Sequence, residues 1–227
     1  TPRNSGIERK IKMTKMKLFI GATLVVALVV LGVGQSKLQE PSIAASNDVM
    51  APHFLVDPFW PKPLPNHWAM GNTIGVDVDE RDHIFIVHRN DASQFGGNTE
   101  IGLQGGVAEC CTPAPPIIEI DIEGNIINAW GGPVEGAPYT WPASNHGIEI
   151  APNGDVWIGG NGSGDSHVLV FTRDGEYIRT IGMQGEDRDS NSQTHYGRVA
   201  EIAIDVEANE AYFADGYQNK RVAVVDV

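Results

Sequence analysis

Residues 145–185 contain four short strand-like segments separated by turn residues, and no other feature of the sequence limits the fold as strongly. Each segment consists mainly of apolar, β-branched or aromatic residues, and Asn153-Gly154 and Asp174-Gly175 stand at two of the turns. Asn-Gly and Asp-Gly between such segments favour tight antiparallel hairpins, because these turn residues tolerate a positive φ. The stretch therefore predicts a four-stranded antiparallel sheet.

The same pattern recurs twice elsewhere in the chain, which makes the stretch one copy of a repeat. The predicted first strands are 75–78, 147–150 and 201–204; the second strands are 84–88, 156–160 and 211–215; the third strands are 117–120, 168–171 and 222–225; the fourth strands are 126–130 and 177–181. Four strands in about 40 residues are typical of one blade of a β-propeller. No long segment has the 3.6-residue periodicity of an amphipathic helix, which excludes a doubly wound α/β fold. We expect an all-β fold with about three propeller blades.

Three blades do not close a ring, since propellers use roughly 4 to 8 blades. The sequence ends at Val227, within the third copy and before any fourth strand of that copy. The sequence thus predicts either part of a longer chain, which we favour, or a ring that several chains complete together. Residues 68–71 resemble the closing strand of a blade, and residues 89–116 form a long insertion in the first copy. That insertion is either a lid over one end of the propeller or a surface excursion.

Residues 1–34 are expected to lie outside the folded core. Basic residues precede an apolar run at 18–34 (LFIGATLVVALVVLGVG), which is the pattern of a secretory signal peptide. A retained membrane anchor is the alternative, because a run of this length lies at the lower limit for crossing a bilayer. Residues at the very start are upstream of Met13 and Met16, the candidate initiation sites. We therefore predict upstream residues and an export segment at 1–34, a linker at 35–52, and a partial propeller at 53–227 in an exported, periplasmic or extracellular protein.

The formal net charge is −13. Because positions 1–34 carry six Lys or Arg and only one Glu, the rest of the chain is more acidic than this total suggests. So acidic a surface repels phosphate backbones, which argues against nucleic-acid binding and favours metal cations or neutral or basic ligands. The two cysteines, Cys110 and Cys111, are adjacent, so they can pair with each other only in a strained ring, or with another chain. No CxxC, DxDxDG, HExxH or GxSxG motif occurs.

Alignment of the copies places three chemically capable side chains at related turns on neighbouring blades. His146 precedes a predicted first strand, Arg89 follows a predicted second strand, and Tyr217 lies in the corresponding turn of the third copy. Turns at equivalent positions of a propeller meet at one mouth of its channel. The three residues are candidates for a shared site. Each also has a purely structural interpretation: His146 as a turn residue, Arg89 as an ion-pair partner at the surface, and Tyr217 as a packing aromatic.

The third copy carries the sequence ADGYQNKRV at residues 214–222, which matches the NHL repeat. Over residues 53–227 the chain resembles bacterial NHL propellers related to peptidyl-α-hydroxyglycine α-amidating lyase. The resemblance implies a six-bladed propeller that cleaves the carbinolamide of a hydroxyglycine-extended peptide into a peptide amide and glyoxylate. It further implies a zinc ion held by three histidines, a calcium ion, and an Arg and a Tyr near the substrate.

The resemblance can be carried over at three positions. His88-Arg89 resembles the His-Arg pair of the lyase, which makes Arg89 the substrate-contacting arginine. His146 corresponds to a zinc ligand, and Tyr217 to the catalytic tyrosine. Gln218 departs from the pattern, because a cysteine follows that tyrosine in the family. A catalytic zinc needs about three protein ligands, so one histidine cannot hold it. The chain as given should therefore be inactive by itself.

These observations predict an exported propeller that takes a small-molecule or peptide ligand at one mouth. In the full protein we expect a zinc-dependent carbon–nitrogen lyase in which Tyr217 acts as general base and Arg89 holds a carboxylate or developing anion. The alternative is a non-catalytic scaffold that binds a ligand or a protein. A sugar-lactone hydrolase of another propeller family is disfavoured, because its acidic metal cluster is missing. Contact with a membrane is expected only if residues 18–34 stay as an anchor.

Overall fold

The computed structural model describes residue 29 and residues 52–90, 110–185 and 189–227. The chain divides into two compact units, residues 1–56 and residues 57–227. The predicted export segment and linker lie outside the described residues, apart from residues 29 and 52, and so do residues 91–109 of the predicted insertion at 89–116. Within the described ranges, no helix is both long enough and apolar enough to cross a membrane.

The described part of the second unit consists of strands and a single short 3-10 turn at Pro65–His67. Turn sequences of the Asn-Gly and Asp-Gly type separate β-branched and aromatic runs, which is why strands form here. In chain order the strands are β1 (Trp68–Ala69), β2 (Asn72–Val78), β3 (Ile84–Arg89), β4 (Thr112–Pro113), β5 (Ile117–Ile120), β6 (Ile126–Trp130), β7 (Asn145–Ile150), β8 (Val156–Gly160), β9 (His167–Phe171), β10 (Tyr177–Gly182), β11 (Ile202–Asp205), β12 (Glu210–Asp215) and β13 (Arg221–Asp226).

Three antiparallel sheets follow one another along the chain as the blades of a propeller. Their strand orders are β2-β3-β5-β6, β7-β8-β9-β10 and β11-β12-β13. The first strands β2, β7 and β11 are neighbours in space, since β7 contacts both of the others. The predicted all-β fold with about three blades is confirmed, and the predicted strands agree with the observed ones to within a few residues.

Two predictions about strand positions are wrong. His146 is the second residue of β7 and lies inside the first strand of its blade, because that strand begins at Asn145. Residues 68–71 were expected to close a blade, but β1 pairs in parallel with β4 and forms a separate two-stranded sheet. Next to β4, Cys110 and Cys111 are joined to each other, with an S–S distance of 2.05 Å.

The core lies between the blades. Alternate residues of the second blade face opposite neighbours: Val156 and Ile158 pack with Phe85 of the first blade, whereas Trp157 packs with Phe213 of the third. Strands β8 and β9 are therefore buried on both sides, which explains their nearly continuous apolar sequence. Burial of a large apolar side chain contributes about 1.5–3 kcal/mol, so these interfaces fix the blades against each other.

Candidate functional site

The three predicted site residues lie at the same end of the blades. Arg89 ends β3 and pairs with Asn72, the first residue of β2. His146 follows Asn145, which opens β7, and Tyr217 follows β12 by two residues. Antiparallel pairing brings the end of each second strand beside the start of its first strand, so all three residues reach one mouth of the channel.

His146 and Tyr217 contact each other directly. The Tyr217 hydroxyl lies 2.9 Å from Nε2 of His146, and the two rings meet edge to face with centroids 5.4 Å apart. Nδ1 of His146 lies 2.8 Å from the backbone oxygen of Ala200. Because a carbonyl oxygen only accepts, Nδ1 carries the proton and Nε2 presents its lone pair to the Tyr217 hydroxyl. A backbone carbonyl bound to one ring nitrogen is the arrangement that orients metal-ligating histidines.

Arg89 is buried, with 6% of its surface exposed. Its Nε donates to the backbone oxygen of Asn145 at 3.3 Å, and its Nη2 donates to Oδ1 of Asn161 at 3.0 Å. Burial lowers the pKa of the guanidinium, and the electrostatic influence of Tyr217 opposes that shift. Arg89 and Tyr217 are thus close enough to interact electrostatically, and the three candidates form one group.

Asn145 connects Arg89 to the second blade, a role that the sequence did not reveal. This residue is fully buried. Its side-chain amide donates to the backbone oxygen of His88 at 2.8 Å, and its Oδ1 accepts from the indole N–H of Trp141 at 2.8 Å. An Asn before a strand normally indicates only a turn, so the sequence offered no signal for this link between blades.

His88, next to Arg89, has a structural role. Its ring is fully buried; Nδ1 accepts from the backbone N–H of Gly71 at 3.1 Å, and Nε2 lies 2.9 Å from the backbone oxygen of Pro115. Burial lowers the pKa of His88. Both nitrogens are already used, so His88 fixes the end of β3 and is not placed to bind a metal.

Two buried carboxylates hold the loops around the site. Asp165 accepts the backbone N–H groups of Ala143, Ser144 and Gly162 at 2.7, 3.0 and 2.7 Å. A carboxylate that accepts several backbone N–H groups holds them in one fixed arrangement. The loop that leads into His146 is therefore tied to the β8–β9 turn.

Asp215 has the corresponding role in the third blade. Its carboxylate accepts from the backbone N–H of Gly197, from Nδ2 of Asn219 at 2.9 Å and from Nε of Arg221 at 2.7 Å. Asp215 is fully buried. The turn that carries Tyr217 thus starts from a rigid point, while Tyr217 itself is 55% exposed and open to a ligand.

Acidic side chains are found on the first strands below the mouth. Burial, together with the charges of Asp77 and Glu201, raises the pKa of Glu149 to about 7, while a hydrogen bond from the backbone of Ile204 opposes the shift. The charge of Glu149 therefore changes close to neutral pH. The sequence offers no signal for this residue, because a lone Glu in a strand has no distinguishing pattern.

The described residues include one candidate metal ligand but no complete metal site. His146 suits one ligand position, since its Nδ1 is anchored and its Nε2 has a lone pair. Across residues 52–90, 110–185 and 189–227, no group of three His, Cys, Asp or Glu side chains is arranged to hold a metal ion. The expected zinc and calcium therefore remain predictions, and a complete zinc site would need further ligands.

The fold and the residue group define a β-propeller segment with a His–Tyr–Arg group at one mouth. No model of a known protein family matches the sequence. The chain is 26% identical over 164 residues to a Caenorhabditis elegans protein named "Probable peptidyl-alpha-hydroxyglycine alpha-amidating lyase pgal-1". The match covers 69% of this chain and 42% of the relative, so the chain spans less than half the length of that protein. The resemblance expected from the motifs is thus confirmed.

Two solved structures are also similar in part. Kuenenia stuttgartiensis hydrazine synthase gives a TM-score of 0.42 at 11% identity, covering 73% of this chain and 36% of that chain. The inactive H270A virginiamycin B lyase from Staphylococcus aureus, solved with quinupristin, gives a TM-score of 0.38 at 16% identity, covering 72% and 43%. The three antiparallel sheets themselves define the propeller fold.

Proposed function

We propose that the chain is part of a lyase that cleaves the C–N bond of a peptide extended by α-hydroxyglycine. The observation that carries this proposal is the hydrogen bond between the Tyr217 hydroxyl and Nε2 of His146, with Arg89 close enough to interact with Tyr217. Similarity to a protein named as an amidating lyase supports the same reaction class. The ligand is a peptide bound at the mouth of the channel.

Tyr217 serves as the general base. Once its hydroxyl has lost a proton to solvent, the Tyr217 oxygen accepts the proton of the substrate's α-hydroxyl; the C=O bond of glyoxylate then forms as the C–N bond breaks, and Tyr217 passes that proton to the departing amide nitrogen. Proton transfer by a positioned side chain contributes roughly 10²–10⁴-fold to a rate. Tyr217 is exposed enough to reach a ligand, and Asp215 fixes the start of its turn.

Arg89 balances the negative charge of the substrate. A guanidinium near a carboxylate gives a charge-assisted hydrogen bond, which is roughly twice as strong as a neutral one. Its hydrogen bonds to Asn145 and Asn161 hold it in place before substrate arrives. Arg89 therefore contributes orientation and charge rather than proton transfer.

His146 would hold zinc together with ligands from outside the described residues. Bound zinc supplies Lewis-acid polarisation of substrate oxygens. Nε2 of His146 cannot accept from Tyr217 and ligate a metal at the same time, so loading of the site requires the Tyr217 hydrogen bond to break. A calcium ion, implied by the resemblance, is part of the same proposal.

The protein is further proposed to be exported, with residues 18–34 as a signal peptide or retained anchor. Support comes from the basic flank and apolar run of that segment. A non-catalytic propeller that binds a ligand or protein is the second candidate. It is favoured by one observation: the described residues contain no group of three His, Cys, Asp or Glu side chains that could hold a metal ion.

The decisive experiment uses the full-length protein with a hydroxyglycine-extended peptide and follows release of peptide amide and glyoxylate. We expect turnover by the wild type and a loss of about 10²-fold or more in kcat for Tyr217→Phe. Tyr212→Phe is the matched control, because the Tyr212 hydroxyl bonds to the Glu210 side chain of its own strand. Absence of turnover in a folded, zinc-supplied wild type would favour the binding propeller.

Zinc content gives an independent measurement. We expect bound zinc in the full-length wild type and a loss of zinc in its His146→Ala variant, whereas His67→Ala, which removes an exposed histidine, should retain zinc. Equal zinc in wild type and His146→Ala would remove His146 from the metal site.

A further inference from the structure

Arg198 has a backbone conformation that is unusual for its residue type. Its φ is 70°, in the left-handed region, where the Cβ atom of an ordinary residue is crowded by the backbone. In the described ranges, every other non-glycine residue with a positive φ is an Asn, an Asp or a His, the types that tolerate this region best. Glycine would suit the backbone here better than arginine does. A role for arginine at this position therefore depends on its side chain.

The guanidinium of Arg198 holds the side chain of Gln218. The Gln218 amide is oriented with its oxygen toward Arg198, and that oxygen accepts from Nε at 3.1 Å and from Nη2 at 3.0 Å. The opposite orientation would turn the amide N–H groups toward a guanidinium, which can only donate. The backbones are joined as well, because the N–H of Gln218 donates to the oxygen of Gly197 at 3.0 Å. The residue that directly follows Tyr217 is thus bound through both its side chain and its backbone.

Gly197 lets the two segments approach closely. A Cβ atom at this position would lie 2.5 Å from the backbone nitrogen of Asn219, so a side chain here would push the turn away. The N–H of Gly197 donates to the carboxylate of Asp215. The turn that carries Tyr217 is therefore fixed before the tyrosine by Asp215 and after it by Gln218.

The same segment also orients His146. The backbone oxygen of Ala200, two residues after Arg198, lies 2.8 Å from Nδ1 of His146. Residues 197–200 therefore reach both His146 and the turn of Tyr217, the two sides of the hydrogen bond at the mouth. The side chain of Arg198 acts on the tyrosine side alone, so replacing it leaves the carbonyl contact of His146 in place.

We propose that Arg198 is a positioning residue that holds the Tyr217 hydroxyl against Nε2 of His146. It acts through Gln218, because Tyr217 is 55% exposed and packing alone restrains its ring weakly. The planar, rigid set of donors on a guanidinium fixes the direction of the contact to the Gln218 oxygen. Gln218 is also the residue at which the chain departs from the lyase pattern, so the resemblance did not indicate this role.

A consequence for catalysis rests on the proposed function. A general base works only within hydrogen-bond reach of the proton that it removes, and a displacement of about 1 Å can cost roughly 10²-fold in rate. Loss of the Arg198 side chain should therefore lower kcat for a hydroxyglycine-extended peptide by about tenfold or more, with a smaller change in KM.

The direct test is imidazole ¹⁵N NMR of the full-length protein with no added zinc, in which the Nε2 signal of His146 reports the hydrogen bond from Tyr217. Arg198→Gly permits the same backbone and removes the guanidinium, so the signal should move toward its position in Tyr217→Phe. Gln218→Met removes the acceptor without changing the backbone and should have the same effect. Gln218→Glu keeps an acceptor and should preserve the wild-type signal.

Asn209→Gly is the matched control. Asn209 also has a positive φ, of 57°, but it lies between β11 and β12, at the opposite end of the same blade from Tyr217. The control should leave the Nε2 signal of His146 unchanged. The double variant Arg198→Gly/Gln218→Met should shift the signal no further than either single change, because both remove one contact.

Three results would overturn the positioning role. A wild-type Nε2 signal in both Arg198→Gly and Gln218→Met would show that the turn holds Tyr217 without this contact. An equal shift in Asn209→Gly would mean that any glycine on this blade loosens the mouth. A shift in Gln218→Glu as large as in Gln218→Met would exclude the acceptor as the link. A wild type without turnover would remove the lyase reaction alone, since the NMR signal does not depend on activity.

Discussion

The carboxylate of Asp77 on β2 accepts a hydrogen bond of 2.6 Å from the backbone N–H of Ile150 on β7. One blade further along, Glu149 accepts from the backbone N–H of Ile204 on β11 at 3.2 Å. Asp77 and Glu149 occupy equivalent positions of the repeat, so the same hydrogen bond joins consecutive first strands twice. Ala203 stands at this position in the third blade and cannot form the bond.

The pKa of Glu149, raised to about 7 by burial and by Asp77, predicts a pH dependence of stability. An unfolded Glu titrates near 4.3, so between about pH 4.5 and 7 the folded state binds more protons and stability falls as the pH rises. Glu149→Gln should raise the free energy of unfolding at pH 8 by about 1–2 kcal/mol. This value is smaller than the full pKa shift would give, because Glu149 is only half-buried and solvent screens its charge. The amide oxygen of Gln can still accept from Ile204.

Urea unfolding at pH 5 and pH 8 measures this effect. The increase in the free energy of unfolding caused by Glu149→Gln should be small at pH 5 and largest at pH 8. Glu176→Gln, at an exposed position, should change the free energy of unfolding by no more than about 0.5 kcal/mol at either pH. An equal loss of stability at both pH values would mean that Glu149 acts only through its hydrogen bond to Ile204.

The contact between Tyr217 and His146 predicts the tautomer of the histidine. Ala200 accepts from Nδ1, so ¹⁵N NMR should find the proton on Nδ1 and a bare Nε2. Tyr217→Phe removes the only donor to Nε2 that the described residues show, so the Nε2 resonance should shift while the tautomer stays the same. A proton found on Nε2 in the wild type would contradict the arrangement and the proposed ligand role of His146.

Arg89 should not be replaceable by Lys. The guanidinium donates to both Asn145 and Asn161, and a single ammonium cannot reproduce this planar geometry. Arg89→Lys should therefore lower the free energy of unfolding by about 1–3 kcal/mol, since a buried acceptor loses its donor. In the full-length protein it should raise KM for a hydroxyglycine-extended peptide more than it lowers kcat. Arg81→Lys, with a side chain that is 59% exposed, is the matched control and should be nearly neutral.

The sequence predicted the strands well because each depends on local information. β5, β6 and β8 start and end at the predicted residues, where β-branched runs meet turns that contain Pro or Gly. Arg89, His146 and Tyr217 could be placed at one mouth because a repeat gives equivalent residues equivalent positions. Their proximity thus followed from the alignment of the copies.

Contacts between blades could not be predicted in the same way. Asn145 is a polar residue at the start of a strand and is ordinary in sequence, and only the packing of the blades brings its side chain to the backbone of His88. The pairing of β1 with β4 joins segments that lie far apart in the sequence, so the local resemblance of Trp68–Ala69 to a closing strand was misleading. The raised pKa of Glu149 likewise depends on Asp77 from another blade.

Asp165 offers the sharpest test of how the loops support the site. Its carboxylate accepts three backbone N–H groups, from Ala143, Ser144 and Gly162, and only 3% of the residue is exposed. Asp165→Ala leaves these donors without an acceptor, and each unsatisfied buried group costs about 1–3 kcal/mol. We expect a loss of at least about 3 kcal/mol in the free energy of unfolding, measured by urea denaturation.

Asp165→Asn distinguishes loss of charge from loss of the acceptor. The amide keeps one oxygen but turns the other position into a donor that faces backbone N–H groups, so its cost should fall between wild type and Asp165→Ala. Hydrogen exchange should then speed up at the amides of Ala143, Ser144 and Gly162, because they lose their acceptor. Asp174→Asn, at an exposed turn, should leave stability and exchange unchanged. If Asp165→Asn were as stable as wild type with unchanged exchange, these loops would be held by the backbone pairing of β7, β8 and β9 alone.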